Sequence, residues 1–317
     1  MNQLTHWFDL HRRYATVATV VAVVLLLSLA KSLQWQVFFF VFNVLLFGVC
    51  HGSCDHLRCP PDKYCNVGIA RLLLFAASYL AFAALVFYVW LHDPGPMLVS
   101  FLSVSCLHFA MDEDEMLSFP KKLLWGILPV LAPCFLHARD VGQLFGFLTG
   151  SQGEFSEQLN TVLQLFGFLV LGLASASLIV DIFGALQQQS KRMLAISISE
   201  LALLLSYVLL SPLLSFTVYF CWWHSVRQSL KLSAKFDSSD LGRGLGKFIK
   251  HAIPFTLGSW LMALILYLTV SEPGSHQEFA QQIRTIFYLL SALTVPHMFI
   301  SMFFANAAFP SLLKKQL

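Results

Sequence analysis

Apolar runs long enough to cross a lipid bilayer follow one another along nearly the whole chain. "YATVATVVAVVLLLSLA" (14–30) and "VFFFVFNVLLF" (37–47) open the series, and it continues almost to the C-terminus. A helix needs about 20 mostly apolar residues to cross the hydrocarbon. Ten segments meet or approach that length: 14–33, 35–54, 67–91, 97–111, 121–137, 161–185, 193–211, 213–231, 252–271 and 283–308. Pro212 separates the seventh from the eighth, because proline interrupts a helical pattern. Only 12% of the 317 residues are charged, about half of what a soluble domain carries. The chain therefore reads as an all-α polytopic membrane bundle of about ten helices, with 1–317 forming a single integral membrane domain. The first run is read as a retained anchor, since it lacks a small-residue cleavage signature.

Basic residues give the bundle a direction. With the N-terminus in the cytoplasm, the connections falling inside hold Arg58, Lys63, Arg71, Lys121, Lys122, Lys191, Arg192, the set from Lys231 to Lys250, and Lys314 and Lys315. The outer connections, "HDPGP", 137–160 and 271–282, hold Arg139. This asymmetry follows the positive-inside rule and puts both termini in the cytoplasm, in a multi-pass protein of the cell inner (cytoplasmic) membrane. A net charge of +3, scattered over loops, argues against nucleic acid as a partner.

"GVCHGSCDHLRCPPDKYC" (48–65) concentrates two histidines, an aspartate and four of the seven cysteines. Its inner end lies in a cytoplasmic loop, where thiols stay reduced, so a disulfide knot is not expected. The cysteines lack paired C-x2-C spacing, which argues against a zinc knuckle. Small apolar-tolerant cysteines are ordinary in membrane helices, and all seven are read as structural.

The histidines carry more. His6, His11, His92, His137, His251 and His276 fall in termini, loops or span edges, and His56 is read as facing the headgroups. His51, His108, His224 and His297 belong to four different spans, and the topology puts each in the cytoplasmic half at a similar depth. Ionisable residues inside a membrane are costly and mark function. Four imidazoles at one level point to a shared metal, and imidazole suits iron, copper, zinc and nickel alike. Each has a polar residue four positions on: Asp55, Asp112, Gln228 and Ser301. On a regular helix these share its face, so Asp55 and Asp112 are candidates to hydrogen-bond a ligand imidazole. Glu200 in the seventh span must be neutral or paired; a bond to such an imidazole and hydration at the membrane edge both stay open. "MDEDE" (111–115) is read as a solvated loop. The rings of Phe109 and of "FTVYFCWW", among them Tyr219, Phe220, Trp222 and Trp223, are candidates for lining an apolar substrate slot, although aromatic residues also fill membrane cores with no ligand.

Four short motifs in order, "HGSCD" (51–55), "LHFAMDED" (107–114), "YFCWWHSVRQ" (219–228) and "LTVPHM" (293–298), resemble the signatures of the Brp/Blh family of membrane β-carotene 15,15'-dioxygenases over roughly 40–305. The first span, 14–33, stands outside that common core. The resemblance implies an Fe(2+) enzyme that splits the central double bond of β-carotene with O2 into two molecules of all-trans-retinal, with a microbial rhodopsin as the expected client. It places the family's iron-site histidines on His51, His108 and His224, and the P-H-M histidine on His297. The family's third motif commonly carries a second histidine four residues on, where this chain has Gln228. Either His297 completes the set, or Gln228 is a weak fourth ligand, or three histidines leave more room for O2, or the enzyme is impaired. Three rivals remain. One is a histidine-relay transporter, which would show inverted repeats. A membrane desaturase would need paired histidine boxes. The third is an accessory protein that binds carotenoid or retinal without turnover.

Overall fold

The computed structural model describes residues 3–29, 32–57, 68–113, 117–150, 154–270 and 278–304, and among these no strand occurs. The elements are helical: α1 (Gln3–Leu29), α2 (Leu33–Asn43), α3 (Gly68–His92), α4 (Pro94–Asp112), α5 (Phe119–Leu136), α6 (Ala138–Thr149), α7 (Glu154–Gln187), α8 (Lys191–Leu209), α9 (Pro212–Thr217), α10 (Val226–Phe236), α11 (Leu241–Val270) and α12 (Glu278–Phe304). Three irregular segments join them. Val44–Gly48 continues α2 as a π-helix, Gly52–Leu57 is a 3-10 helix, and Val218–Ser225 is a π-helix linking α9 to α10.

Nine helices among the described residues are long and apolar enough to cross a membrane. They coincide with nine of the expected spans, and the protein is a multi-pass membrane protein. Outward-facing residues such as Leu73, Leu74, Val180, Phe183 and Leu268 are well exposed, as a lipid-facing surface requires. The expected span 213–231 is helical too, but it is built as α9, π-helix and α10 in succession, and most of α9 and the π-helix is buried. Pro212 starts α9 at a position where its missing N–H costs nothing.

Two connections differ from the sequence reading. The stretch 137–160 is not a loop: it contains α6, whose Val141, Phe145 and Leu148 are buried at i, i+4 and i+7. Gly150, at φ +69°, ends that helix in the left-handed conformation that glycine adopts freely. The basic stretch before residue 252 is also helical, because α11 begins at Leu241. Cys50, Cys54, Cys106, Cys134 and Cys221 are free thiols. Arg58, Cys59, Lys63, Cys65, His276 and the tail lysines lie outside the described residues.

Without a hydrophobic drive between helices in lipid, close packing at small residues holds the bundle. Gly126 on α5 is the tightest case: a Cβ there would stand 2.3 Å from both Cα and N of Ala110 on α4. This contact lies two residues beyond His108 and fixes the height of α4 against α5. Replacing Gly126 with alanine is expected to force the two backbones apart and cost about 1–3 kcal/mol. The readout is a lower thermal unfolding midpoint in detergent than that of the parent protein.

Candidate metal centre

His51, His108, His224 and His297 meet in the interior, and all four are buried. They come from the turn after the first π-helix, the last stretch of α4, the second π-helix, and α12 just after Pro296. Ring centroids lie 4.6 Å apart for His51–His297, 5.0 Å for His108–His224, 5.3 Å for His51–His224 and 5.4 Å for His108–His297. The rings thus close a four-membered cycle, as the shared depth in the sequence led us to expect.

The second π-helix aims one side of the site. Phe220 and His224 stack at 13° across one turn, and Ser225 returns its hydroxyl to the Phe220 carbonyl five residues back. A π-turn takes an extra residue per turn, and such turns cluster at functional sites. Gly48 leaves the space Phe220 fills, since a Cβ there would meet its ring at 2.8 Å.

The carboxylates do not follow the i, i+4 pattern uniformly. Asp55 does not serve His51: its Oδ2 accepts from His297 Nδ1 at 2.7 Å. The cause is the 3-10 segment, whose three residues per turn rotate Asp55 off the face of His51. Gly52 makes room, because a Cβ there would stand 3.2 Å from His297 Nδ1. With the carboxylate as acceptor, the bond puts the His297 proton on Nδ1 and leaves the buried Nε2 as the unprotonated nitrogen. Asp112 does lie beside His108, at the end of a regular helix. Its Oδ2 is 3.3 Å from His108 Nε2 and 3.8 Å from His224 Nε2, and the two Nε2 atoms are 3.3 Å apart. These three residues have ligand atoms all within 4.8 Å of one another. The carboxylate therefore approaches the nitrogen that faces the centre, not the far side of the ring.

Two cations of α10 hold this geometry. Lys231 Nζ donates to the Asp112 carbonyl at 3.0 Å, and Arg227 Nη1 donates to Glu113 Oε2 at 3.0 Å. The Glu113 carboxylate also accepts from Tyr219. The acidic run is thus not wholly a solvated loop: Glu113 is buried, while Asp114 and Glu115 lie outside the described residues. Arg227 was not singled out in the sequence, and Lys231 was read there only as a charge of a cytoplasmic connection. An arginine three residues past a buried histidine, in an otherwise apolar run, was the available signal.

Other candidates separate. Phe109 packs on His224 with centroids 5.0 Å apart, and Phe220 lies near His51. Tyr219 backs Phe109 at 5.3 Å. Trp222 and Trp223 turn away: their indole N–H groups donate to Asn43 on α2 and to Thr19 on α1, both at 2.9 Å. In the π-helix they sit off the face shared by residues 220 and 224. Glu200 is also elsewhere, paired with Lys121 at 3.2 Å because α5 and α7 bring Lys121 and Asp181 to it. His56 stacks on Phe255 with ring centroids 4.4 Å apart. Gln228 and Ser301 are buried one turn beyond His224 and His297.

Two apolar cavities lie near the imidazoles, and His51 and His297 line the first of them. One of about 370 Å³ is bounded by His51, His297, His56, Tyr79 and Phe255. A second, of about 120 Å³, is bounded by Phe109, Phe216, Phe220 and Met298. Leu290 and Thr294 of α12 line both.

The donor set fits a transition metal of intermediate softness, having imidazole nitrogens and carboxylate oxygens in a buried site. His224 Nδ1 is buried with no hydrogen-bond partner among the described residues, so its ring is held by packing and by what its Nε2 meets.

A family model described as "Beta-carotene 15,15'-dioxygenase" matches residues 42–305. The chain is 24% identical over 288 residues to the probable beta-carotene 15,15'-dioxygenase Blh of Halobacterium salinarum, covering 81% of each chain. It is 28% identical over 264 residues to the beta-carotene 15,15'-dioxygenase of uncultured marine bacterium 66A03, covering 81% of this chain and 90% of that one. No solved structure matches.

The Asp55–His297 bond can be tested on its own. Removing a buried acceptor leaves its donor to bear a desolvation penalty of about 1–3 kcal/mol. Asp55→Ala is expected to lower the unfolding midpoint accordingly, and Asp55→Asn, which keeps an acceptor, by less.

Proposed function

The chain belongs to the beta-carotene 15,15'-dioxygenase family, and from that premise we propose that it cleaves the central 15,15' double bond of β-carotene with O2. One C=C bond breaks, each carbon gains one oxygen atom, and two molecules of all-trans-retinal result. The observation that carries this reading is the cycle of four buried imidazoles with two neighbouring apolar cavities beside it. A long hydrocarbon calls for apolar space next to the reacting centre, and the two cavities share Leu290 and Thr294 in their walls.

His51, His108, His224 and His297 would hold Fe(2+), with Gln228 as the alternative fourth donor. Fe(2+) held by neutral imidazoles supplies the electron that activates O2 while keeping positions open. The chain's own residues do the rest. Phe109 and Phe220 offer ring faces beside His224, against which a polyene can stack. Burial excludes bulk water from the reacting carbons. Asp55 keeps His297 in the tautomer whose Nε2 carries the lone pair a metal needs. Lys231 and Arg227 hold the end of α4, and with it His108, at a fixed height. A bundle with a lipid-facing exterior can take a carotenoid from the bilayer, in keeping with residence in the cell inner membrane and with a microbial rhodopsin as client for retinal.

The test is expression in a bacterium that accumulates β-carotene, with retinal and residual carotene measured by chromatography. Retinal is expected from the parent and none from His224→Ala. Phe220→Ala, which removes a stacking face, is expected to lower retinal yield about tenfold or more. Unchanged carotene with a folded, iron-replete parent would sink the assignment and favour an accessory carotenoid-binding role.

A further inference from the structure

We propose that Asp112 is a direct metal ligand, so that His108, His224 and Asp112 present a two-histidine, one-carboxylate face to the ion. This rests on the metal-centre reading above and changes the part Asp112 plays in it.

Distances separate a ligand from a hydrogen-bonding support. Where a carboxylate supports an imidazole in this molecule, as Asp55 does His297, it does so at 2.7 Å and on Nδ1. Asp112 does neither. Its Oδ2 stands 3.3 Å and 3.8 Å from two imidazole nitrogens that are themselves 3.3 Å apart. Atoms spaced in this way are neighbours around an ion. The circumcentre of that triangle lies about 2.0 Å from each corner, the usual metal–nitrogen and metal–carboxylate distance.

The approach is built rather than incidental. Asp112 ends α4 one turn after His108, on the same face. Lys231 takes its backbone carbonyl, and Arg227 takes the neighbouring Glu113 carboxylate. The two cations of α10 therefore hold the chain at and just after this carboxylate, from the helix that carries on from His224. The same helix places a neutral amide, Gln228, one turn beyond His224. A carboxylate at 112 supplies the anionic donor that this amide does not. A face of two histidines and one carboxylate is a setting for ferrous oxygen chemistry, because it leaves positions open for other donors and for O2. His51 and His297, across the cycle of rings, are placed to take part of what remains.

The experiment loads purified parent and Asp112→Asn protein with Fe(II) under anaerobic conditions. Affinity is measured by competition with a chromophoric chelator, and the nitric oxide complex is recorded by electron paramagnetic resonance at saturating iron. The expected result is at least about tenfold weaker binding in the variant, together with a changed spectrum at saturation. Unchanged affinity overturns the assignment. So does weaker binding with an unchanged spectrum, which would mean that the carboxylate shapes the site without touching the ion. A folded parent that binds no Fe(II) overturns the metal-centre reading itself, and is distinguished by the parent alone. If the asparagine variant does not fold, Asp112→Glu answers the same question. It keeps the charge but displaces the oxygen by a methylene, so a ligand shifts the spectrum and an unchanged spectrum refutes the proposal.

Discussion

Polar groups in the middle of an apolar bundle have to find each other, and the architecture of this protein follows from that demand. An unpaired polar group far from water costs several kcal/mol. The four imidazoles and their carboxylates concentrate that cost in one place, where it is offset by mutual contact. Around them the chain abandons the regular α-helix three times: at Val44–Gly48, Gly52–Leu57 and Val218–Ser225. The 3-10 turn takes Asp55 to His297 and not to its own neighbour His51, and across the second π-helix the rings of Phe220 and His224 stay near parallel. The backbone groups freed by these departures are partly recovered locally, as the Ser225 hydroxyl does for the Phe220 carbonyl.

Charge is used sparingly, and two clusters of it sit at seams between helices. Glu113, Arg227 and Tyr219 form one buried cluster; Lys121, Asp181 and Glu200 form another. The first joins α4 to the π-helix and α10, and the second joins α5, α7 and α8. In lipid these pairings confer register more than net stability, since desolvation consumes much of the Coulomb attraction. The register that matters most is that of α4 against α10, because two of the four histidines depend on it.

How much of this was visible in the residues alone can be followed element by element. The spans were legible because apolar run length is a strong signal, and Pro212 marked the break between α8 and α9. The convergence of four histidines was legible because topology fixes depth, and depth is shared. What a helix does with its azimuth was not legible. Asp55 was placed by a 3.6-residue repeat that the chain does not follow there, Trp222 and Trp223 by their nearness to His224, and nothing in their residue types announces a π or 3-10 turn. Glu200 was assigned by depth, but depth does not say which neighbours a face meets. The helix α6 was missed because its buried stripe of Val141, Phe145 and Leu148 is short and lies among polar residues.

The first helix, finally, imposes an order on assembly. It precedes the family-matched stretch, which starts at residue 42, yet it holds the segment around His224. His11 donates to the Trp222 carbonyl at 2.8 Å, and Thr19 accepts from the Trp223 indole at 2.9 Å. These partners are separated by 211 and 204 residues. During synthesis α1 is therefore made first and must wait in the bilayer through most of translation before its partners emerge. Contacts closed across so many residues form slowly. The seat of His224 thus closes only after the chain has been made past residue 223, and the ring of imidazoles is completed only when α12 supplies His297.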